Sequence, residues 1–407
     1  MNYSLVKINT FYEDYLADYY GRYPATKTKG YREQYENLVG DRFAWGNYFE
    51  RHLKTLDIDT HEIYENVIPL QNAWARENGV LAVGEDLLVA QLRKYRPDVI
   101  FSEYVNFLAP GKLVAIRELV PSVRLMCAHF CAPLSEKVIQ GLRAYDLVFT
   151  CTPGFVEYFR SIGLKAFLLN HAFEPANLLD IKKNNNMPKS DFLFAGSLLA
   201  HEEYHKSRLD LIERLLNDGV KMRIYSNLPK RTPFQDHARK VFLTFSDTTK
   251  ALGLDSFAIM KRIGKRADSL RSDYNQSPYS TKLLRVAKRP IYGITMFRAL
   301  SRAKIVFNSH IGSAGRYAGN MRLFEGTGCG TCLVTDWKEN LKDLFEPDYE
   351  VVSYGSQAEC AEKIKWLLDH PKNSAQIAEA GQKRCLRDHT FFRRVNEFHK
   401  IVSRSLT

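Results

Sequence analysis

The chain has 407 residues, a length at which two domains are the natural expectation. Its composition, 45% hydrophobic and 26% charged, is that of a protein with buried cores and argues against a disordered chain. The sequence has no apolar run long enough for a membrane-spanning helix, and its first residues lack the basic-then-apolar pattern of a signal peptide. We therefore expect a cytoplasmic protein whose seven cysteines are mostly reduced.

The formal charge of +12 is concentrated in one segment. Residues 228–304 contain 17 Lys and Arg against 5 Asp, a net of +12, so the rest of the chain is close to neutral. Its basic runs, KRIGKR at 261–266 and LLRVAKRP at 283–290, are interleaved with aromatic residues at 242, 245, 257 and 279. Three uses stay open: an insertion that shapes a cleft, contact with an anionic membrane or acceptor, and binding of nucleic acid.

The first half of the chain alternates short apolar runs with amphipathic segments. The runs predict strands at 98–102, 123–128, 147–151 and 166–169. The amphipathic segments predict helices at 85–94, 111–119, 135–144 and 153–162. Fully apolar strands separated by helices are typical of a parallel sheet that is covered on both faces.

A polar segment, IKKNNNMPKSD at 181–191, is the best linker candidate, because it has three asparagines and a proline but no periodicity. After it, strands are predicted at 191–197, 221–227, 303–310, 331–335 and 350–356, and helices at 207–217, 358–369 and from 390 to about 405. The sequence thus predicts an α/β fold with two Rossmann-like αβα domains that face each other across a cleft. The expected parts are residues 1–185, residues 186–388 with a basic insertion at about 228–290, and a helix at 389–407 that packs back toward the first domain.

A glycine-rich stretch joins the predicted strand at 303–310 to a short helix. The backbone from Gly315 to Met321 could offer N–H donors and a helix N-terminus to phosphate oxygens, with Arg316 or Arg322 as the charge partner. Neither GxGxxG nor GxxxxGK[ST] is present, so an ordinary turn is an equal alternative. Glycines at 326, 328 and 330 are unfavourable in a helix and indicate close approach to a ligand or a neighbouring strand.

Glu325 lies on the apolar side of that helix, three residues after Arg322. One interpretation is an i, i+3 ion pair at the surface. The other is a carboxylate that points into the cleft and accepts two hydrogen bonds from a ribose diol, as acidic residues do in dinucleotide sites. The spacing alone does not decide between them.

These residues begin a longer stretch, MRLFEGTGCGTCLVTDWKENLKDLFEPDYEVVSYGSQAECAEKI, which AGQKRCLRDHTFFRRV later follows. Together they closely resemble the C-terminal domain of group 1 glycosyltransferases of the spore-maturation-protein (CgeB) type, relatives of glycosyltransferase family 4 with the GT-B fold. The resemblance runs from about residue 289 to 395, is looser over 191–227, and is only architectural in the first half. It implies a metal-independent GT-B enzyme that moves a sugar from a nucleoside diphosphate sugar to a hydroxyl of a glycan or lipid-linked acceptor, in the synthesis of cell-surface polysaccharide such as lipopolysaccharide.

The resemblance also implies roles for single residues. Glu325 matches the second Glu of the family 4 E-x7-E motif, which binds the ribose, while Tyr317 stands where the first Glu would be. Gly319 and Asn320 match the loop whose backbone faces the donor phosphate. Retention of configuration is the usual outcome in the family. Tyr317 favours one alternative, a non-catalytic nucleotide- or glycan-binding protein on the same scaffold.

His129 follows a predicted strand of the first domain directly, and related enzymes often have a histidine there. A neutral imidazole near donor sugar and acceptor could orient a hydroxyl or accept a proton, so we expect His129 and Arg322 at the reaction centre. A structural histidine is the alternative.

Ser197 and His201 follow the first strand of the second domain. His201 could reach the diphosphate or lie in a plain surface loop. Ser197 is expected near the donor, at a position where family 4 often has an arginine. Lys206 or Arg208 could supply that missing cation.

The cysteines do not predict a metal site. Cys329 and Cys332 have CxxC spacing, but the chain has no second CxxC and no suitably spaced His pair, so packing is favoured over zinc. Cys127 and Cys131, on either side of His129, are interpreted in the same way. We expect no cofactor and no catalytic metal. The expected partners are the nucleotide sugar, the acceptor and, peripherally, the anionic inner face of the membrane; nucleic acid is not expected.

Overall fold

The computed structural model describes residues 3–103, 110–183, 185–198, 203–228, 233–251, 263, 279–310, 312 and 315–407. The strands are β1 (Ser4–Asn9), β2 (Asp59–Tyr64), β3 (Val99–Ser102), β4 (Leu125–His129), β5 (Leu147–Thr150), β6 (Ala166–Leu168), β7 (Ser190–Ala195), β8 (Met222–Tyr225), β9 (Ala287–Lys288), β10 (Ala303–Phe307), β11 (Cys332–Asp336) and β12 (Val352–Tyr354).

The helices alternate with these strands along most of the chain. They are α1 (Glu13–Arg22), α2 (Tyr31–Gly40), α3 (Tyr48–Lys54), α4 (Ile68–Glu77), α5 (Gly84–Tyr95), α6 (Pro110–Leu119), α7 (Glu136–Leu142), α8 (Pro153–Ser161), α9 (Asn177–Lys182), α10 (Glu203–Asn217), α11 (Pro233–Ala251), α12 (Thr281–Val286), α13 (Gly293–Ser301), α14 (Met321–Gly328), α15 (Leu341–Leu344), α16 (Gln357–Asp369), α17 (Pro371–Asp388) and α18 (Phe391–Leu406). A short 3-10 helix, Pro24–Thr28, precedes α2.

The first sheet has the strand order β2-β1-β3-β4-β5-β6, and every neighbouring pair is parallel. Successive residues of a strand point to opposite faces, and both faces are apolar. Ile100 and Met126 belong to one core, which α5, α6, α7 and α8 cover. Phe101 and Cys127 belong to the other, which α3 and α18 cover. This arrangement is the αβα layering that the apolar strands predicted.

Helix α18 completes the second of these cores from the far end of the chain. Its buried positions are spaced three or four residues apart and form one stripe: Phe391, Val395, Phe398, Val402 and Leu406. Thr390 caps the helix by accepting a hydrogen bond from the Arg393 N–H. The side chain of Arg124 donates to the Leu406 carbonyl at 2.8 Å, which ties the end of the helix to the start of β4.

The second sheet has the order β12-β11-β10-β7-β8-β9. Helix α14 lies very close to strand β11, since a Cβ on Gly326 would stand 2.7 Å from Leu333 Cδ1. A Cβ on Gly328 would collide with the ring of Phe173. The neighbouring strand therefore accounts for Gly326 and an aromatic ring for Gly328, and neither glycine is needed to admit a ligand.

The predicted fold class is confirmed: the chain is α/β, with two six-stranded parallel sheets of the Rossmann type. The chain divides into a larger unit, Met1–Leu193 with Ile291–Thr407, and a smaller unit, Phe194–Pro290. The domain boundaries predicted from the sequence stay a prediction. Within the described residues, no helix combines the length and apolarity that crossing a membrane requires.

The first 95 residues contain two strands and four helices that sequence patterns did not reveal. Lys7 lies inside β1 and Glu62 inside β2, and charged residues inside a strand break the apolar pattern from which strands are predicted. Both are nevertheless buried, and Lys7 Nζ lies 3.6 Å from Glu62 Oε2. The pairing of the two charges makes their burial tolerable, and only the folded structure shows it.

The polar segment predicted as a linker is attached to the larger unit where it is described. Helix α9 extends into it as far as Lys182, and β7 begins at Ser190. Between them, Asn185 Nδ2 donates to Arg298 O at 3.3 Å and lies 3.0 Å from Ser301 Oγ. Asn185 thereby attaches the segment to α13.

The described part of the basic segment contains α11, α12 and β9. Phe245 is half-exposed, but Tyr279 is buried and its hydroxyl donates to Leu198 O at 2.8 Å. Tyr279 is thus a structural residue. The aromatic residue at 257 and most of the basic run at 261–266 lie outside the described residues.

Candidate functional site

The loop between β10 and α14 is tied to the carboxyl ends of β10 and β11 by side-chain amides. Asn320 Nδ2 donates to Asn308 Oδ1 at 2.7 Å, and Asn308 Nδ2 lies 3.2 Å from Asn320 Oδ1. Asn308 Nδ2 also lies 2.9 Å from Thr335 Oγ1. Asn320 occupies the N-cap position of α14, yet its side chain makes no capping hydrogen bond. Its side chain therefore fixes the loop rather than the helix end.

His310 links the same loop to the end of β11. Its Nδ1 lies 2.8 Å from Asp336 Oδ1, and its backbone N–H donates to the same oxygen at 2.9 Å. The Gly319 N–H donates to His310 Nε2 at 3.3 Å, so Nδ1 carries the ring proton. Burial alone would raise the pKa of Asp336, but the hydrogen bonds from His310 outweigh burial and lower it. The Gly319 N–H, predicted to face a phosphate, is directed to an imidazole in this state.

The residues after β11 hold the other side of the loop. The Ala318 N–H donates to Asn340 Oδ1 at 2.7 Å, and Asn340 Nδ2 donates back to Ala318 O at 3.0 Å. Lys338 Nζ donates to Gly315 O at 2.6 Å. A loop fixed in this way loses little conformational entropy when a ligand binds, which favours binding.

Glu325 and Arg322 form a buried ion pair on α14. The Glu325 Oε2 and Arg322 Nη1 atoms are 2.9 Å apart, with side-chain exposures of 7% and 16%. Burial raises the pKa of Glu325, and Arg322 opposes that rise. The i, i+3 pair expected from the spacing is therefore formed, but away from the surface. Since an uncompensated buried charge is costly, each side chain depends on the other.

Tyr317 joins the loop to helix α8. A Cβ on Gly154 would stand 2.7 Å from Cδ2 and Cε2 of the Tyr317 ring, so an edge of the ring lies against the start of that helix. Arg316 extends over the same ring, 5.3 Å from its centroid, and its Nε lies 3.6 Å from Glu339 Oε2. With 65% of its side chain exposed, Arg316 is the surface cation of the loop.

Gly319 packs closely against the residues that follow β5. A Cβ there would stand 2.5 Å from Cys151 O and 2.7 Å from Thr152 Cγ2. No side chain fits that gap. Position 319 therefore requires glycine because of contact with another part of the protein.

His129 ends β4 in a buried aromatic environment. The ring of Trp45 is 4.5 Å away, centroid to centroid, and that of His171 is 5.7 Å away. Burial, reinforced by His171, lowers the pKa of His129 well below its usual value. Burial also lowers the pKa of His171 to about 4, and its Nδ1 accepts a hydrogen bond from Trp45 Nε1 at 3.1 Å. Both imidazoles are thus neutral near pH 7.

One set of possible metal ligands occurs within the described ranges, formed by Cys131, Cys151 and His171, whose ligand atoms lie within 4.8 Å of one another. The two sulfurs form a disulfide, however, and His171 Nδ1 already accepts from Trp45. The set does not suit a metal in this state. The expectation that Cys131 is a packing thiol is wrong, because it is bonded to Cys151.

Other residues predicted to contact the nucleotide sugar lie in the smaller unit. The carbonyl of Ser197 accepts a hydrogen bond from Arg208 Nη1 at 3.1 Å. The Arg208 guanidinium lies 6.0 Å from the centroid of the Phe194 ring, while Lys206 is exposed. Of the two candidate cations, Arg208 is therefore the one beside Ser197. His201 lies outside the described residues.

A charged cluster at the carboxyl ends of β1, β2 and β3 was not found from the sequence. Lys7 Nζ lies 2.5 Å from Glu103 Oε2 and also donates to Asn9, whose Nδ2 donates to Glu62 Oε2 at 2.8 Å. Burial raises the pKa of Glu62 to about 7 although Lys7 opposes it. The order of the first sheet changes direction between β1 and β3, and open α/β sheets bind ligands at such a point. A polar residue directly after a predicted strand was the available signal for Glu103 and Asp336.

Similarity to a known protein family covers part of the chain. Residues 259–400, less than half of the chain, match the family model described as glycosyl transferase-like. This region includes α14 and the whole loop before it. No curated protein matches the chain.

Several solved structures share the architecture over nearly the whole length. Sucrose-phosphate synthase from Thermosynechococcus elongatus is 11% identical with a TM-score of 0.52, covering 99% of this chain and 98% of that one. HepE from Anabaena, in complex with UDP-glucose, is 11% identical with a TM-score of 0.53, covering 98% and 99%. At this identity the likeness establishes the fold alone: the chain has the GT-B fold.

Proposed function

We propose that this protein is a glycosyltransferase that moves a sugar from a nucleoside diphosphate sugar to a hydroxyl of a glycan or glycolipid. The observation that carries the proposal is the burial of Glu325 on α14, directly after a loop that four side chains hold in place. The GT-B fold and the glycosyl transferase-like match across this region support it. HepE, of the same fold, was solved with UDP-glucose, which makes a uridine nucleotide the first donor to test.

In this proposal the contact between Glu325 and Arg322 is replaced by contacts of both side chains with the bound nucleotide sugar. The ribose diol offers two hydroxyl donors to the Glu325 carboxylate, and the diphosphate attracts Arg322. The Gly319 N–H leaves His310 Nε2 for a phosphate oxygen, and the Asn320 backbone and the exposed Arg316 provide further contacts to the phosphates. Stabilisation of the departing diphosphate is the main catalytic contribution expected of this region. Neutral His129, on the first sheet, orients or deprotonates the acceptor hydroxyl.

Finer features of the proposal depend on the resemblance to the spore-maturation type and to family 4. We propose retention of configuration, transfer without a divalent metal, and an acceptor in cell-surface polysaccharide synthesis. The 17 basic residues of the segment 228–304 support peripheral contact with an anionic membrane. Proton NMR of the product would decide the anomeric outcome, and transfer measured with a chelator would decide the metal requirement.

A thermal-shift panel with UDP, GDP, ADP, CMP and TDP tests donor binding. A nucleotide at 100 times its dissociation constant stabilises the folded state by about 2.7 kcal/mol, which raises the melting temperature. We expect one nucleotide to stabilise the wild type, and Glu325→Gln to lose most of that shift. The matched control is Glu362→Gln, an exposed glutamate on α16, which should behave as the wild type. Equal shifts in both variants would refute the ribose contact.

Tyr317 supports one alternative, a nucleotide- or glycan-binding protein without catalysis. The Tyr317 ring lies against Gly154. The resemblance would place at position 317 a glutamate that contacts the donor sugar. Release of nucleotide from a panel of nucleotide sugars, in the presence of a mixed glycan acceptor, separates the two. Nucleotide binding without turnover, with every acceptor tested, would favour the alternative.

A further inference from the structure

The Cys131–Cys151 disulfide connects the loop after β4 to the start of α8. The two Cα atoms are 5.8 Å apart, a separation typical of disulfides. The other five cysteines are free and buried. The chain therefore has one pair of thiols placed for reversible oxidation among cysteines that are held as packing groups.

The surroundings of the pair favour the thiolate form that exchange requires. The Cys151 N–H donates to Cys131 Sγ at 2.7 Å, and His129 Nε2 lies 3.6 Å from the same sulfur. Cys151 directly precedes Thr152, which caps α8 by accepting from the Phe155 N–H. Hydrogen-bond donors and a helix N-terminus stabilise thiolates.

The two sulfurs differ in their accessibility. Cys131 is partly exposed, whereas Cys151 is 5% exposed. A thiolate of a dithiol reductant therefore attacks Cys131 Sγ, and Cys151 leaves as a thiolate beside the start of α8. The second thiol of the reductant then closes its own ring and releases Cys131. In sum, the protein disulfide gains two electrons and two protons, and the reductant becomes a cyclic disulfide.

The pair is in direct contact with the proposed donor loop. Gly319 packs against the carbonyl of Cys151 and the methyl group of Thr152. Tyr317 packs against Gly154, two residues further along the same helix start. A change in the backbone at Cys151 therefore acts on the loop that His310 and Asn340 hold.

We propose that Cys131 and Cys151 form a thiol–disulfide exchange site that controls the loop at 315–320. The oxidised pair keeps the start of α8 rigid and the loop in its binding conformation. Reduction loosens both and weakens nucleotide binding. The last consequence rests on the proposed function, while the exchange and the loop response do not.

The test uses wild-type protein equilibrated in dithiothreitol buffers of graded reduced-to-oxidised ratio, without nucleotide. Alkylation with iodoacetamide and mass mapping should show Cys131 and Cys151 becoming reactive together, in a single two-electron transition. Hydrogen exchange of the 315–320 segment, which includes the Gly319 N–H, should be about tenfold faster in the reduced protein, equivalent to about 1.4 kcal/mol of local stability. Cys360→Ser, which removes a buried free thiol on α16, should keep the transition, and Cys131→Ser should lose it.

Three results would overturn the proposal. They are the absence of any transition, equal exchange of the 315–320 segment in both redox states, and stoichiometric zinc in the reduced protein, which would make the pair a metal site. Nucleotide affinity is then measured on both forms, with about tenfold tighter binding expected for the oxidised one. If no nucleotide binds either form, the proposed function fails while the exchange data still decide this inference.

Discussion

Two buried histidines lie at or just after the carboxyl ends of strands, one in each parallel sheet, and their environments differ. His129, at the end of β4, lies among aromatic rings and sulfur, and its pKa is lowered well below the usual value by burial. His310, three residues after β10, has a carboxylate at Nδ1 and a backbone N–H at Nε2. The aromatic rings and the sulfur around His129 carry no charge, and His129 itself is neutral. His310 is part of a chain of hydrogen bonds that holds a loop.

The difference in environment favours different roles for His129 and His310, a division of labour between the two sheets. His310 positions its neighbours, because its two ring nitrogens bond the Asp336 carboxylate and the Gly319 N–H. An imidazole in an apolar site keeps a basic nitrogen at neutral pH and suits proton transfer. Under the proposed function we expect the His310 region to bind the nucleotide and the His129 region to carry out the chemistry, and each expectation can be tested separately.

The largest expected effect comes from removing the partner of His310. Asp336→Ala takes away the acceptor of both the His310 ring and its backbone N–H, so we expect the free energy of unfolding to fall by about 3 kcal/mol. Urea unfolding measures it. Asp343→Ala, an exposed aspartate on α15, is the control. A loss no greater than that of the control would show that the hydrogen-bond chain does not hold the loop.

His129→Gln should affect turnover and leave nucleotide binding intact. If His129 serves as the base, kcat should fall about 100-fold, the lower end of the range for general bases, with an unchanged nucleotide Kd. His310→Ala should show the reverse pattern, with weaker nucleotide binding as the main loss. Kinetics and calorimetry on both variants measure the split. The division of labour fails if both variants lose the same parameter.

The neutral histidines of the first sheet should make the protein sensitive to acid. The pKa of His171 in the folded state, about 4, lies below its unfolded value of about 6.5. Its contribution to stability is fully present above pH 6.5 and is lost as the pH falls toward 4. We expect up to roughly 2 kcal/mol less stability at pH 5 than at pH 7, and a smaller loss in His171→Gln. Denaturant unfolding across this range, with His370→Gln as the exposed control, measures it; identical slopes in both variants would contradict the assignment.

The smallest effect is expected at the exposed cation. Arg316→Ala removes a surface contact to Glu339 and should leave the urea midpoint of unfolding nearly unchanged, because exposed ion pairs contribute little to stability. Any loss of nucleotide affinity in this variant would then report on the phosphate contact alone. A large loss of stability would mean that Arg316 supports the loop, as Lys338 does.

The sequence could predict the fold because the relevant signals are local. Apolar runs such as those of β4 and β5 alternate with amphipathic helices, and this pattern depends on neighbours in the chain. The helix that carries Glu325 was also predictable from its apolar face. The strands with a buried charge, β1 and β2, were missed because the compensating partner of Lys7 lies far away in the sequence.

The site was predicted less completely than the fold, for a related reason. Asn320 was singled out because the resemblance places it in the loop that faces the donor phosphate. The pairing of His310 with Asp336 and of Ala318 with Asn340 could not be predicted, because hydrogen bonds between loops leave no periodic pattern. The Cys131–Cys151 bond was missed because the two cysteines follow different strands, and sequence spacing does not show that β4 and β5 are neighbours.

Helix α18 has a consequence for the order of events during synthesis. It supplies the final layer over β1, β3 and β4, although nearly the whole chain separates Leu406 from Leu5 in the sequence. Until α18 has been synthesised, that face of the first sheet is covered by α3 but not by α18, and the apolar side chains that α18 covers can associate with other chains. The core on that face is therefore completed only after the strands of both sheets have been synthesised.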